Sequence, residues 1–214
     1  MNLITLYLNI FFVRMLFMNE KLYEKITECL VSDGYIIIND ALDESVSSGL
    51  LNRLKDESGF KKAGISSSNS FHLDASKRRD KTRWLDEDNE AQSEFLAFAD
   101  GLKEYLNRSL YLGLSYYEAH FAIYEEGDFY EKHLDPFVGK KNRVVTTVYY
   151  LNDSWEEGDG GELIVYDLND KELTRVTPHA NTLVVFMSEK FPHEVLPAKA
   201  KRHSIAGWFR VDKI

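Results

Sequence analysis

The sequence predicts an α+β fold: N-terminal helices packed on one sheet of a double-stranded β-helix, that is, a jelly-roll or cupin-like barrel. Three observations predict it. Apolar residues recur at helical spacing only in the first half of the chain. After Tyr116 the pattern changes to short β-rich runs separated by Gly, Asp, Asn and Pro. No Pro-rich or Gly/Ser-rich linker separates the two halves, so one domain over 18–214, with its barrel at about 116–214, contains both.

Taken in order, Leu22, Ile26, Cys29 and Leu30 mark a first helix over 18–31, which Gly34 ends. Tyr35, Ile36, Ile37 and Ile38 form a short buried strand, and a second helix is predicted over 44–56. Residues 59–80 are rich in Ser, Gly and charge without periodicity, which predicts a mobile loop or finger. Phe95, Phe98, Ala99, Leu102 and Leu106 mark the third helix. Strands are predicted over 118–124, 143–151, 163–166, 182–186 and 203–211.

Residues 1–17 are an apolar extension interrupted by Arg14. The uncharged run is short for a bilayer, and it lacks the basic start and small-residue cleavage site of a signal peptide. It is expected to be an upstream-start artefact or a disordered tail, in preference to a helix packed on the domain or a membrane anchor. The net charge of -9 argues against sequence-independent binding to nucleic acid, which needs a basic face. Cys29 is the single cysteine, so no internal disulfide forms and a cytoplasmic setting is expected.

His133 and Asp135, two apart, point to one face if the chain there is extended. His193, just past the hydrophobic run ending at Phe186, can bring a third ligand from a distant strand. Two imidazoles and a carboxylate hold non-haem Fe(II) on one face and leave the opposite positions open. Zinc suits the same donors. Of the other histidines, His72 and His179 lie in a polar loop and a turn, His203 faces away from Arg202, and His120 shares a strand face with Tyr124.

Pro197 breaks the chain after His193, and the return strand places Arg202, Ser204, Ala206 and Trp208 on one face. An inward guanidinium needs an anion, and its planar donors match a carboxylate. The pattern therefore suggests a dicarboxylate cosubstrate beside the metal.

These residues belong to a longer series: Gly127, Tyr130, His133 and Asp135; Tyr149, Tyr150, Leu151 and Asn152; Gly160 and Gly161; Pro192, His193, Glu194 and Val195; Arg202 and Ser204. In that order the series resembles the 2-oxoglutarate/Fe(II)-dependent dioxygenases of the prolyl hydroxylase type. Upstream, Arg79, Asp80, Lys81 and Trp84 resemble the Arg-Gly-Asp-Lys-x-x-Trp segment of the oxygen-sensing, EGLN-like prolyl hydroxylases and their bacterial relatives, with Arg79 in place of Gly. The resemblance implies that His133, Asp135 and His193 bind Fe(II). It implies that Arg202 and Tyr150 hold the distal carboxylate of 2-oxoglutarate, with Tyr124 and Ser204 beside it. Arg79, Asp80 and Trp84 would meet the substrate, and ascorbate would serve as reductant.

The activity so implied is hydroxylation of a C–H bond, foremost on a proline of a protein or peptide, with O2 consumed and succinate and CO2 released. Three alternatives stay open: the same chemistry on another residue or a small molecule, a non-catalytic cupin-like metal or ligand binder, and a zinc hydrolase. Without the resemblance, Tyr124, Tyr150 and Trp208 are equally core aromatics, Gly160 and Gly161 a hairpin turn, and Trp84 an anchor for the finger.

Overall fold

The computed structural model describes residues 19–66, 71–72, 74–135 and 142–211. The apolar extension at 1–17 lies outside the described residues, as does the side chain of His72. No helix among the described residues is long and apolar enough to cross a membrane.

Helix α1 (19–32) is followed by β1 (Tyr35–Ile38) and α2 (Glu44–Leu54). Short strands β2 (Lys61–Lys62), β3 (Ile65–Ser66) and β4 (Phe71–His72) lead to β5 (Lys81–Trp84) and the long α3 (Glu90–Leu110). The strand half comprises β6 (Tyr116–Tyr124), β7 (Tyr130–His133), β8 (Arg143–Tyr150), β9 (Leu163–Tyr166), β10 (Glu172–Val176), β11 (Leu183–Met187), β12 (His193–Val195) and β13 (Arg202–Arg210). The start of α3 is set by Asn89, whose side chain accepts the Gln92 backbone N–H at 3.0 Å and satisfies one otherwise orphaned donor.

Seven strands form a major sheet in the order β1-β11-β8-β13-β6-β5-β2, and four form a minor sheet, β10-β9-β12-β7. All the pairings are antiparallel. Alternation along the central strands sends successive side chains to opposite faces. Phe121, Ile123, Val145, Tyr149, Ile205 and Phe209 join Ile26, Leu50, Phe95 and Leu102 in a core on the helix side. The intervening Ala122, Tyr124, Val148 and Tyr150 share a second core with Leu163, Val165 and Val195 of the minor sheet. The helices thus brace one face of the major sheet and leave the other to the minor sheet.

Neither sheet closes on itself; the strands form two sheets sharing a core, with the helices on one of them as expected. Two expectations need correction. Part of the stretch expected as an irregular finger is strand, β2 to β4, each of two residues. The sequence reading also missed β5, β7 and β10. Strand β10 is an edge strand and β7 is largely solvated, so backbone pairing rather than an apolar pattern creates them.

Candidate active site

The pairing of β7 with β12 sets His193 opposite His133, with ring centroids 4.3 Å apart. Asp135 follows β7 directly. One ligand atom from each of the three residues lies within 4.8 Å of the others, the only such His/Cys/Asp/Glu group among the described residues.

Each imidazole is turned by its own backbone. Nδ1–H of His133 donates to the Glu131 carbonyl at 2.8 Å, and that of His193 to the Phe191 carbonyl at 3.0 Å. A carbonyl can only accept, so the hydrogen sits on Nδ1 and the Nε2 lone pair is left for a metal. Burial, reinforced by the neighbouring His193, pushes the His133 imidazole well below its usual range, which keeps it neutral and able to ligate.

Asp135 is held from the major sheet. Its Oδ2 accepts from Trp208 Nε1 at 2.7 Å and from Thr146 Oγ1 at 3.4 Å, and its Oδ1 from Arg143 Nη1 at 3.2 Å. Burial alone would raise this carboxyl, but the two histidines, Arg143 and the indole N–H hold it below the usual carboxylate range. Tyr130 stacks on His133, centroids 3.7 Å apart and 17° from parallel. Arg78 lies 4.3 Å over the Tyr130 ring and grips the fully buried Asp80 with two hydrogen bonds of 2.8 and 2.6 Å.

A cavity of about 630 Å³ joins these residues to a second cluster around Arg202. Arg202 is 1% exposed; its Nε donates to the Gly161 carbonyl at 2.8 Å and its Nη1 to Ser204 Oγ at 3.1 Å. Its guanidinium carbon stands 4.9 Å from the Tyr124 ring and 5.0 Å from the Tyr150 ring. Arg202 Nη2 and Tyr150 Oη are buried without a hydrogen-bond partner among the described residues. Burial raises the Tyr150 hydroxyl to about 12, so at neutral pH it is an O–H donor. Two orphaned donors, one on the cavity wall at Arg202 and one beside it at Tyr150, call for an anionic acceptor, and a carboxylate fits them.

The Arg202 guanidinium owes its place to Gly160 and Gly161. Both have positive φ, 71° and 65°. A Cβ on Gly160 would lie 2.3 Å from the Pro197 carbonyl oxygen, and one on Gly161 3.0 Å from Arg202 Cδ. The pair is thus more than a turn: it lets the chain pass close to the guanidinium.

The structure brings together His133, Asp135 and His193, and separately Arg202, Tyr124 and Ser204, around one cavity, with Tyr150 packed behind Arg202. Trp84 stands at the cavity, 57% exposed. Asp80 is buried behind Arg78 and does not line it. Arg79 is not brought to the site. It is exposed, donating to the Ala75 carbonyl at 2.9 Å and lying over Phe129. Sequence reasoning missed Arg78, Thr146 and Arg143, and gave Tyr130 no role of its own. The spacing of Arg78 and Asp80, two apart in extended chain, could have revealed the first; nothing pointed to Arg143 at the start of its strand.

Residues 119–210 match the family model of the 2OG-Fe(II) oxygenase superfamily. The structure is similar to that of a Pseudomonas putida prolyl-4-hydroxylase, with TM-score 0.80 and 34% identity over 89% of this chain and 100% of that one. It is also similar to a Trichoplax adhaerens prolyl hydroxylase solved with a hypoxia-inducible factor oxygen degradation domain peptide fragment: TM-score 0.79 and 28% identity over 91% of each chain. Over 94 residues it is 39% identical to the Caenorhabditis elegans hypoxia-inducible factor prolyl hydroxylase, spanning 42% of this chain but 13% of that protein's length.

Proposed function

The chain belongs to the 2OG-Fe(II) oxygenase superfamily, alongside its prolyl hydroxylases, and on that premise we propose that it hydroxylates a prolyl residue in a protein or peptide. The observation that carries this reading is one cavity with a His/Asp/His trio and, on its wall, Arg202, whose Nη2 is an unpartnered donor beside the equally unpartnered Tyr150 Oη.

His133, Asp135 and His193 would hold Fe(II), their donor atoms preset by the backbone carbonyls and Trp208. Arg202 and Tyr150 would hold the distal carboxylate of 2-oxoglutarate, with Ser204 fixing the guanidinium and Tyr124 walling the pocket. Iron, 2-oxoglutarate and O2 together supply oxidation of a C–H bond with release of succinate and CO2. The protein's residues orient the cosubstrate and exclude water around it. Ascorbate would keep the metal reduced.

Among the described residues Asp135 is the only acidic side chain lining the cavity, which favours the oxygenase reading over a hydrolase with a separate carboxylate base. Trp84 at the mouth would contact the substrate, while Asp80 would act through Arg78, which lines the cavity where Arg79 does not. The two sheets correspond, in this reading, to the halves of a double-stranded β-helix, and 18–214 to one oxygenase domain. A single cysteine and a reduced metal suit the cytoplasm.

The test is mass spectrometry of a host lysate incubated with the protein, Fe(II), ascorbate and 2-oxoglutarate. A gain of one oxygen on a proline, dependent on 2-oxoglutarate, is expected. Oxidation of another residue or of a free metabolite alone would overturn the substrate assignment.

A further inference from the structure

In a chain of net charge -9, the cavity is strongly cationic. Among the described residues that line it, seven are Lys or Arg, against the single carboxylate of Asp135. Three of the seven are already engaged. Arg78 is neutralised by Asp80, and Arg143 and Arg210 share Glu118, at 3.6 and 2.6 Å. Arg202 faces the proposed cosubstrate. Lys61 and Lys62 have no carboxylate partner among the described residues, and Arg83 forms no ion pair there, although Asp56, Asp88 and Asp86 attract it. Arg83 donates only to backbone carbonyls, those of Asp56, Ser58 and Arg53. Lys61 and Lys62 are exposed on β2, the edge strand of the major sheet, and form no ion pair with a described residue.

The excess therefore lies along the β2–β5 edge of the major sheet, with β6 between it and the β13 strand that carries Arg202. Cations gathered beside a cleft focus the field there and raise the encounter rate of an anion by about 10- to 1,000-fold. The small cosubstrate dianion is already met by Arg202. We propose that the polypeptide segment flanking the hydroxylated residue is acidic and docks its Asp or Glu side chains on the rim formed by Lys61, Lys62 and Arg83, an inference that rests on the prolyl hydroxylase reading above. A nucleic acid shares the charge but needs a long basic face, which an acidic chain with a local cationic rim does not offer.

The test is equilibrium binding of fluorescein-labelled, proline-centred peptides to the full chain. One peptide carries Asp and Glu on both flanks, and its counterpart carries Asn and Gln. The acidic peptide should bind about tenfold tighter at low salt, and the gap should close at about 1 M salt, where charges are screened beyond about 3 Å. In a K61Q/K62Q double variant the acidic peptide should weaken while its amide counterpart keeps its affinity. Equal affinity of the two peptides, no binding of either, or equally tight binding of a hexathymidylate of similar charge would overturn the assignment. Succinate formation from 2-oxoglutarate in the same preparation is read separately. Its absence would sink the oxygenase reading, whereas its presence with equal peptide affinities would sink only the acidic-segment inference.

Discussion

Trp208 donates its indole N–H to Asp135 Oδ2 at 2.7 Å. The donor lies on β13 of the major sheet and the acceptor just beyond β7 of the minor sheet, so this bond ties the two sheets together at the proposed metal site. It also restricts the carboxylate to one orientation.

Trp208→Phe keeps the ring and removes the donor. Losing such a support costs roughly 10- to 100-fold in metal affinity. Anaerobic titration with Co(II) or Fe(II) should show that loss in a folded variant; unchanged affinity would remove the positioning role of Trp208.

Arg202→Lys keeps the charge but loses the fork and the bond to the Gly161 carbonyl. The KM for 2-oxoglutarate should rise by about tenfold or more, as expected when a hydrogen bond to a charged group worth about 1.5–3 kcal/mol is lost. Gly161→Ala should raise the same KM through the displaced guanidinium and lower stability by about 1–3 kcal/mol, because a non-glycine residue at φ 65° is strained. Steady-state kinetics and urea denaturation measure both.

Adjacent arginines should behave very differently. Arg78→Ala strands the buried Asp80 carboxylate, at a cost of about 3–5 kcal/mol. Arg79→Ala removes an exposed side chain and should stay within about 0.5 kcal/mol. Denaturation midpoints of the two variants decide the matter, and similar losses would contradict the placement.

Burial, with the nearby Arg78 charge, lowers the His120 imidazole from 6.5 to about 4. Between those values the unfolded chain takes up a proton that the folded chain does not. Its contribution to stability, on the order of 3 kcal/mol, is therefore full above pH 6.5 and lost as the pH falls toward 4. His120→Met should flatten the dependence of the unfolding free energy on pH in this window by about one proton. A slope identical to that of the parent protein would show that another group titrates there.

What could be read in the sequence was what periodicity and spacing encode. Helices α1 to α3 bury one apolar face each and the central strands bury both, so Phe95, Leu102 and Ile205 marked them plainly. His133, Asp135, His193 and Arg202 were legible because their chemistry is uncommon at such spacing. Strands β7 and β10 were not legible, because partner strands rather than their own side chains stabilise them. The identity of the inward arginine before Asp80 was lost for a related reason. Two consecutive arginines look alike in sequence, and only the extended backbone decides that Arg78 shares a side with Asp80. Arg143 reaches Asp135 across a tertiary contact that no local pattern announces.

The decisive measurement is succinate release from 2-oxoglutarate by purified protein with Fe(II) and ascorbate, in parent, His133→Ala and Asp135→Ala forms. Metal-dependent release by the parent and none by either variant is expected. Equal release by all three would contradict the assignment of His133, Asp135 and His193 as the iron site.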